Sequence, residues 1–150
     1  MEGKVVRPGD TVLTLGTGGV SILALQLAKL AGARVIITSS SDEKLERANG
    51  LGADATVNYK RDADWAEKVL ELTGGRGADH IVEVGGAGTL PQSLRAVAVR
   101  GEIVLIGVLT PPSGDLNPHA LMPKSATLRG VFVGDTPMFD ALLRAVAVNR

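Results

Sequence analysis

The sequence predicts an α/β domain with a doubly wound, parallel six-stranded sheet in the order 3-2-1-4-5-6 and helices on both faces. Three observations predict this fold. Short runs of β-branched residues alternate with segments whose apolar residues recur at helical spacing. The strand segments are continuously apolar, as in parallel sheets that are covered on both faces. The 150 residues also suit one domain with one core.

Six segments are predicted as strands because they are short, apolar and bounded by turn residues. A Pro8-Gly9-Asp10 turn precedes the first strand, and Gly107 ends the fifth. The predicted strands are residues 11–15, 34–38, 55–58, 79–84, 102–106 and 127–133. Right-handed crossovers between parallel strands then give the doubly wound arrangement.

Five segments between and after the strands are predicted as helices. In the first, Val20, Leu23 and Leu27 recur at helical spacing until Gly32 ends the helix. The predicted helices are residues 18–30, 41 or 42 to 50, 62 or 64 to 72, 90–99 and 137–149. Residues 109–123 are rich in Pro, Gly, Asp and Asn and are predicted as a long loop, a feature that is often functional.

The composition argues against several classes of function. Sixteen Lys and Arg balance sixteen Asp and Glu, and the basic cluster typical of nucleic-acid binding is missing. No apolar run approaches the ~20 residues of a membrane span, and the polar N-terminus does not resemble a signal peptide. The sequence has no Cys, which excludes disulfides, thiol nucleophiles and thiolate zinc sites. We expect a cytoplasmic protein that binds neither nucleic acid nor membrane.

Three polar residues are candidates for a site and are interpreted otherwise. His80 and His119 are the only histidines, and neither has a partner at metal-ligand spacing. We expect His80 to be a packing residue and predict no metal site and no catalytic residue in this chain. Glu83 stands inside an apolar strand, where a carboxylate needs partners. We expect it to be hydrogen-bonded or edge-facing, although it could face a cleft.

A glycine-rich loop carries the strongest functional signal. Residues 16–21, GTGGVS, follow the first strand and open the first helix, which is the context that a dinucleotide fingerprint needs. Gly16 permits the tight turn, and Gly18 lets the backbone approach a pyrophosphate that faces the helix amides. Ser21 replaces the usual third Gly or Ala and is small enough for close packing. A glycine turn without a ligand is the alternative.

The end of the second strand predicts the cofactor. An NAD-selective site has Asp or Glu about 20 residues after the first glycine, to bind the ribose hydroxyls. Here Ser39 and Ser40 occupy that region, and Lys44 follows about one helical turn later. These residues favour NADP(H) over NAD(H), because Lys44 could pair with a 2′-phosphate. Two alternatives stay open: Asp42 or Glu43 could reach a ribose, or residues 39–41 are only a turn and helix cap and Lys44 is a solvated surface charge.

At this point the sequence resembles a known family. The segments GDTVLTLGTGGVSILALQLAKLAGARVI, LTGGRGADHIVEVGG and GEIVLIG are similar to the coenzyme domain of the medium-chain dehydrogenase/reductase superfamily. Within it, the zinc-type alcohol dehydrogenase-like and quinone oxidoreductase-like branches match best. The resemblance covers nearly the whole chain and implies a Rossmann fold that binds a nicotinamide dinucleotide.

The resemblance also implies a role for individual residues. The glycine-rich loop would hold the pyrophosphate, and the second-strand end, together with a tyrosine, would surround the 2′-phosphate. The turn after the fourth strand would pass over the adenine-ribose side, and the ends of the last two strands would approach the nicotinamide ribose. The implied cofactor-binding residues are Gly16, Thr17, Gly18, Gly19, Val20, Ser39, Ser40, Lys44, Tyr59, Val84, Gly85, Gly107, Val108, Leu109, Val131 and Phe132. For Tyr59, a half-buried surface aromatic is the alternative.

Family members carry a GroES-like catalytic domain ahead of the coenzyme domain, and nothing in residues 1–150 matches it. We therefore expect one NAD(P)-binding domain, with zinc possible only in the catalytic domain. The parent enzyme would transfer hydride between NADP(H) and an alcohol or carbonyl, a quinone or an enone. The alternative is a binding or dimerisation module without turnover. A methyltransferase is disfavoured because it expects an acidic residue after the second strand.

The resemblance implies an oligomeric partner as well. In dimeric family members the sixth strand pairs across a two-fold axis and extends the sheet. The corresponding segment here runs from Thr127 to Val133 and is largely apolar and free of proline. An unpaired strand of this kind is an aggregation liability, so we expect a homodimer through this edge.

Overall fold

The computed structural model describes residues 3–111 and 117–149, and its strands form one fully parallel sheet. The strands are β1 (Thr11–Thr14), β2 (Arg34–Ser39), β3 (Ala55–Asn58), β4 (Ala78–Glu83), β5 (Val97–Leu105) and β6 (Thr127–Gly130). The helices are α1 (Gly19–Leu30), α2 (Asp42–Gly50), α3 (Trp65–Leu72), α4 (Leu90–Ala96) and α5 (Thr136–Val148), with a short 3₁₀ helix at Pro118–Leu121. The order β3-β2-β1-β4-β5-β6 confirms the predicted fold class.

The strand order reverses beside β1, which pairs with β2 on one side and with β4 on the other. The chain therefore leaves β1 and β4 toward opposite faces of the sheet. In open α/β sheets, a crevice forms at the carboxyl ends of the strands where the order reverses, and ligands bind there. The glycine-rich loop after β1 lies at this position.

Apolar side chains on the two faces of the sheet form two cores. On one face, Leu25 of α1 and Leu45 of α2 pack against the sheet. On the other face, Trp65 of α3 and Leu94 of α4 do the same. The sheet is thus covered on both sides, which explains why its strands are continuously apolar.

The segment predicted as a single helix over 90–99 is a helix followed by the start of a strand. α4 ends at Ala96, and Val97 takes an extended conformation as the first residue of β5. The Lys124 ammonium donates hydrogen bonds to the carbonyls of Arg95 at 2.5 Å and Val97 at 2.8 Å. A cation at a helix C-terminus satisfies carbonyls that have no partner inside the helix. This contact comes from a residue far along the chain, so the local pattern did not predict it.

The last predicted strand is shorter than expected. Pairing between β5 and β6 stops at Gly130, and Val131 makes one more backbone hydrogen bond, from its N–H to the Leu105 carbonyl at 2.9 Å. Part of the predicted 109–123 loop is the 3₁₀ helix, and residues 112–116 of that loop lie outside the described ranges.

The fifth helix lies apart from both cores. No residue of α5 is buried, although Leu142 and Val146 face Leu23 and Leu27 of α1 across a shallow cavity. In the described part of the chain, no helix combines the length and apolar character that crossing a membrane requires.

Candidate functional site

The loop between β1 and α1 presents an open cradle of glycines. Gly16 has φ +73°, a conformation that glycine adopts without strain. Gly18 caps α1 with no side-chain hydrogen bond, so the first amides of the helix receive no partner from a capping side chain. A Cβ atom added at Gly18 or Gly19 would meet no protein atom within 4 Å. The space above these two residues is therefore free for a ligand, which is what a phosphate needs at a helix N-terminus.

Ser21, the unusual third residue of the fingerprint, has a structural role. Its side chain is buried, and its hydroxyl donates a hydrogen bond to the Leu15 carbonyl at 2.6 Å. This bond joins the first turn of α1 to the end of β1. Serine is thus not merely tolerated here, because its hydroxyl satisfies a buried carbonyl that Gly or Ala would leave without this partner.

A groove runs along the carboxyl ends of β1, β4 and β5. It consists of two adjoining cavities of about 300 Å³ each, which share Leu15, Gly16, Val84 and Leu109. One cavity, called here the glycine cavity, lies over the start of α1. The other, called here the aromatic cavity, extends toward Tyr59 and the buried Trp65. The groove occupies the crevice that the strand order predicts.

The groove contains only part of the predicted cofactor-binding set. The predicted residues that line it are Gly16, Gly18, Gly19, Val20, Tyr59, Val84, Gly85, Gly107 and Leu109. The predicted residues that do not line it are Thr17, Ser39, Ser40, Lys44, Val108, Val131 and Phe132. Val108 and Phe132 are highly exposed beyond the groove, with Phe132 93% exposed.

Several lining residues were not predicted from the sequence. They are Leu15, Thr38, Ala63, Trp65, Thr89, Gln92 and Ile106, together with Ser21 of the fingerprint. Leu15, Thr38 and Ile106 lie at the carboxyl ends of strands, so the predicted parallel sheet was enough to indicate their position. Trp65 and Gln92 belong to helices that meet only in three dimensions: the Gln92 side chain accepts a hydrogen bond from the Ala66 amide at 3.0 Å. No local sequence pattern indicates that meeting.

The end of β2 is built from hydroxyl groups that bond to one another. Ser39 is buried, and its hydroxyl shares a hydrogen bond with the Thr17 hydroxyl at 3.2 Å and accepts the Ser41 amide at 3.3 Å. Ser41 caps α2 by accepting the Lys44 amide at 3.4 Å. The Lys44 side chain is exposed, and its ammonium has no ion-pair partner among the described residues.

Asp42, the acidic residue nearest to this region, is engaged elsewhere. Its carboxylate accepts a hydrogen bond from the Asn58 amide group at 2.8 Å and forms an ion pair with Arg61 at 2.9 Å. These partners come from the end of β3 and the residues just after it. They hold the Asp42 carboxylate toward β3.

Two loops close the groove on the side of β4 and β5. The Thr110 amide and hydroxyl both donate to the Gly85 carbonyl, at 2.9 and 2.7 Å. A Cβ atom at Gly107 would overlap the backbone carbonyl of Val84, so glycine is required for this close approach. Glu83, just before the turn, is fully buried and hydrogen-bonded, as expected.

The two histidines lie away from the groove. His80 is buried at the opposite end of β4, where its Nε2 lies 3.0 Å from the Asp10 carboxylate. Burial alone would raise the pKa of Asp10, but the Arg7 amide and His80 outweigh it and hold that pKa below its ordinary value. His119 is exposed on the 3₁₀ helix. The described residues contain no group of three or more potential metal ligands.

Sequence comparison identifies the family. The profile described as zinc-binding dehydrogenase matches residues 19–148, which is most of the chain. The chain belongs to the zinc-binding dehydrogenase family. In architecture it is the coenzyme-binding domain of the medium-chain dehydrogenase/reductase superfamily, which confirms the resemblance described from the sequence.

Individual family members are similar over the same region. A zinc-type alcohol dehydrogenase-like protein of Schizosaccharomyces pombe is 47% identical over 145 residues, which are 94% of this chain and 42% of that protein. The crystal structure of an NAD-dependent alcohol dehydrogenase superimposes with a TM-score of 0.87 at 41% identity, over 94% of this chain and 41% of the other. A mycobacterial structure complexed with NADPH has a TM-score of 0.75 at 38% identity, over 84% and 39%. The chain spans about two fifths of the length of these relatives.

The family name implies zinc, and the residues of this chain do not fit a zinc site. The sequence has no Cys and only two His. The structure describes both histidines, which lie on different elements, and one of them pairs with Asp10. Zinc sites need three or four such ligands around one point.

Proposed function

We propose that the chain binds NADP(H) in the groove, in preference to NAD(H), as the coenzyme-binding part of an oxidoreductase. One observation carries the proposal: the open glycine cradle at Gly18 and Gly19 lies at the N-terminus of α1, where the strand order reverses. A dinucleotide pyrophosphate suits this position because the helix amides and the helix dipole favour an anion. The aromatic cavity beside it has the size and apolar lining that suit a nucleobase.

The cofactor preference rests on the groups around the end of β2. No carboxylate follows the strand directly, and Asp42 is engaged by Asn58 and Arg61. The exposed ammonium of Lys44 is available for a 2′-phosphate. Ser40 follows β2 directly, and the Tyr59 amide donates to the Ser39 carbonyl at 3.1 Å, which places Tyr59 at the same strand end. An NAD-selective site would instead present an acidic side chain to the ribose hydroxyls.

The reaction is proposed from the family, since the chain spans two fifths of its relatives. A bound nicotinamide supplies hydride transfer, and we propose an alcohol or carbonyl, a quinone or an enone as the other substrate. The described lining of the groove consists of glycine, apolar, hydroxyl and amide side chains, without a carboxylate or an imidazole. The residues of this chain therefore bind and orient the cofactor, while acid–base groups and any zinc come from a separate catalytic domain.

We also propose a homodimer through the edge of the sheet. β6 is the last strand in the order, so one side of it has no neighbour among the described strands. Two residues shortly after the strand, Phe132 and Val133, are highly exposed. An exposed strand edge with adjoining apolar residues is suited to pairing with a second copy of the chain.

The proposal is tested by titrating the purified chain with NADPH and with NADH, following reduced-nicotinamide fluorescence. We expect tighter binding of NADPH, and we expect Lys44→Ala to raise the Kd for NADPH about tenfold while the Kd for NADH changes little, because one charge-assisted contact is lost. Arg47→Ala is the matched control, since it removes the same charge from the same helix one turn further on. Binding of neither cofactor contradicts the proposal, and equal loss in both variants contradicts the role of Lys44.

A turnover assay separates the binding role from catalysis. We expect the isolated chain to bind NADPH and yet to show no oxidation of NADPH in the presence of a quinone. The reason is that its described groove offers no carboxylate, imidazole or metal ligand set. Turnover by the chain alone would place catalytic groups in it and contradict this division of roles.

A further inference from the structure

A carboxylate without solvent contact ends β4. Glu83 is fully buried, and one of its oxygens, Oε1, accepts hydrogen bonds from the amides of Gly85 at 2.8 Å and Gly86 at 3.1 Å. The Thr89 hydroxyl donates to the same oxygen at 2.5 Å. The second oxygen, Oε2, accepts from the Ser93 hydroxyl. Four donors from the turn and from α4 therefore converge on one side chain.

The buried Glu83 carboxylate depends on these hydrogen-bond donors. Burying a carboxylate in an apolar core is unfavourable unless its partners replace the lost water. Within the described residues, no Lys, Arg or His comes within 4 Å of Glu83 to balance it. The arrangement fixes the turn, because Gly86 has φ +80° and the amides of Gly85 and Gly86 both donate to the Glu83 carboxylate.

The turn at Gly85 and Gly86 forms one wall of the groove. The Gly85 carbonyl on its other side receives the two hydrogen bonds from Thr110, and the Thr110 hydroxyl accepts the Gly88 amide at 2.7 Å. Val84, which lines both cavities, lies between Glu83 and this turn, and Gly107 packs against the Val84 backbone. A shift of the turn would move Val84 and Gly107 together and change the width of the groove.

We infer that Glu83 is the positioning residue for the nucleotide groove: it holds the turn at Gly85 and Gly86 in the shape that admits the dinucleotide. The inference rests on the proposed nucleotide-binding function. Because both turn amides are bonded to Glu83, the turn contributes to binding through its shape and not as a phosphate-binding site. Its effect therefore falls on the part of the cofactor that NADPH and NADH share.

Three variants of Glu83 test the inference. Glu83→Leu removes both acceptors, and Glu83→Asp retains the charge but withdraws it by about 1.5 Å, one carbon–carbon bond. Both should raise the Kd values for NADPH and NADH by a common factor of about ten or more, because the two hydrogen bonds that hold the turn amides are lost with the others. Glu83→Gln keeps one oxygen for the three donors at Oε1 and is expected to stay within about threefold of the wild type.

Asp79→Leu is the matched control. Asp79 is also a buried carboxylate of β4, but it lies at the opposite end, where it accepts the Thr11 amide at 2.8 Å and pairs with Arg76 at 2.8 Å. We expect this variant to lower the melting temperature and leave both Kd values unchanged. A purely structural role for Glu83 predicts the same behaviour for Glu83→Leu and Glu83→Asp, so unchanged affinity in those folded variants would overturn the inference. A loss confined to NADPH would overturn it as well.

A second measurement is independent of nucleotide binding and of whether Glu83→Leu folds. Amide hydrogen exchange of Gly85 and Gly86, followed by NMR without cofactor, is expected to be slow in the wild type and in Glu83→Gln and fast in Glu83→Asp. Fast exchange in the wild type would overturn the inference. If the wild type binds neither cofactor, the proposed function and the binding role of Glu83 both fail, whereas protected amides would still show that Glu83 fixes the turn.

Discussion

The backbone amide of Gly16 donates a hydrogen bond to the buried hydroxyl of Thr38 across 3.1 Å. This contact joins the first glycine of the cradle to the end of the neighbouring strand. It fixes the loop at the residue whose backbone takes a positive φ, and the hydrogen bond between the Thr17 and Ser39 hydroxyls at 3.2 Å supports the next residue of the loop. The position of the cradle thus depends on a residue 22 positions further along the chain.

Replacing Thr38 by valine should loosen the cradle. Thr38→Val keeps the shape of the side chain and removes the acceptor, which leaves the Gly16 amide unpaired. We expect the free energy of unfolding to fall by about 1–2 kcal/mol, the usual cost of such a group. Affinity for both cofactors should fall together, because the contact lies at the pyrophosphate loop. Urea unfolding and the fluorescence titration measure the two effects.

Thr14→Val, on the adjacent strand β1, should have the opposite effect on the free energy of unfolding. The Thr14 hydroxyl is fully buried and has no hydrogen-bond partner among the described residues. Valine removes this unpaired group without changing the volume much, so we expect an unfolding free energy that is unchanged or higher by about 1 kcal/mol. Equal destabilisation by the two Thr→Val changes would show that the Gly16 contact contributes nothing specific.

Two glycines of the groove should respond differently to alanine. Gly18 has an ordinary negative φ and open space above it, so Gly18→Ala should change the unfolding free energy by less than about 1 kcal/mol. It should nevertheless weaken both cofactors strongly, because the added methyl group fills the place of the pyrophosphate. Gly107→Ala should destabilise the fold by about 1–3 kcal/mol or more, since its Cβ overlaps the Val84 backbone.

Thermal unfolding and cofactor titration of the two alanine variants make the comparison. Gly18→Ala protein that is stable and binds NADPH as tightly as the wild type would show that the open space is not a ligand site. Wild-type stability in Gly107→Ala would show that the two loops are not packed as closely as described.

The sequence was sufficient for the strand order and for the glycine loop because both depend on local patterns. Apolar runs alternate with helical periodicity, and the fingerprint stands between a strand and a helix. The predicted end of α4 was wrong because Lys124, a residue distant in the sequence, caps the helix, so that Val97 begins β5. Long-range contacts of this kind leave no periodic signal.

The candidate site likewise contains residues that local patterns predicted and residues that only long-range contacts bring together. Gly18 was predicted from its motif, whereas Trp65 and Gln92 line the groove because two helices meet in space. The sequence predicted that Glu83 would be hydrogen-bonded or edge-facing, since a carboxylate in an apolar strand needs partners. Which donors they are depends on the turn geometry that only the folded chain provides.

Asp54 should contribute stability that is lost in acid. Burial alone would raise the pKa of Asp54. The hydrogen bonds that its carboxylate accepts from the Lys29 ammonium and the Val35 amide outweigh burial and hold the pKa below the ordinary value of 3.8. A carboxyl group with a lowered folded-state pKa stabilises the fold fully above its unfolded pKa and loses that contribution as the pH falls through its folded value. Asp54→Asn should therefore be less stable than the wild type at pH 6, and the two should converge below about pH 3.8.

Because the carboxylate is about one third exposed, the difference at pH 6 should be at most about 1 kcal/mol. Glu43→Gln is the control, since the Glu43–Arg47 ion pair is largely exposed and should contribute little to the unfolding free energy at pH 6. Urea unfolding between pH 3 and pH 7 measures all three proteins. A difference between wild type and Asp54→Asn that grows on acidification would contradict the assigned direction of the pKa shift.

The free edge of β6 should form the dimer interface. The Val131 amide points inward to the Leu105 carbonyl, and backbone groups of successive strand residues point to opposite sides. The Gly130 amide therefore points away from β5, toward the side on which a second copy would pair. A Cβ atom at Gly130 would meet no protein atom within 4 Å, and Gly130→Pro removes this donor because proline has no backbone N–H.

We expect the wild-type chain to be a dimer by light scattering and Gly130→Pro to be a monomer at the same concentration. The Gly130→Pro variant should retain its cofactor affinity. The groove lies at the carboxyl ends of β1, β4 and β5, and none of the described lining of the groove comes from β6. Phe132→Ser serves as a second test, since it removes an exposed apolar side chain next to the edge but leaves the backbone donors in place. It should weaken the dimer less than Gly130→Pro if strand pairing supplies the main contact. A monomeric wild type at high concentration would refute the interface, and a dimeric Gly130→Pro would place the contact elsewhere on the surface.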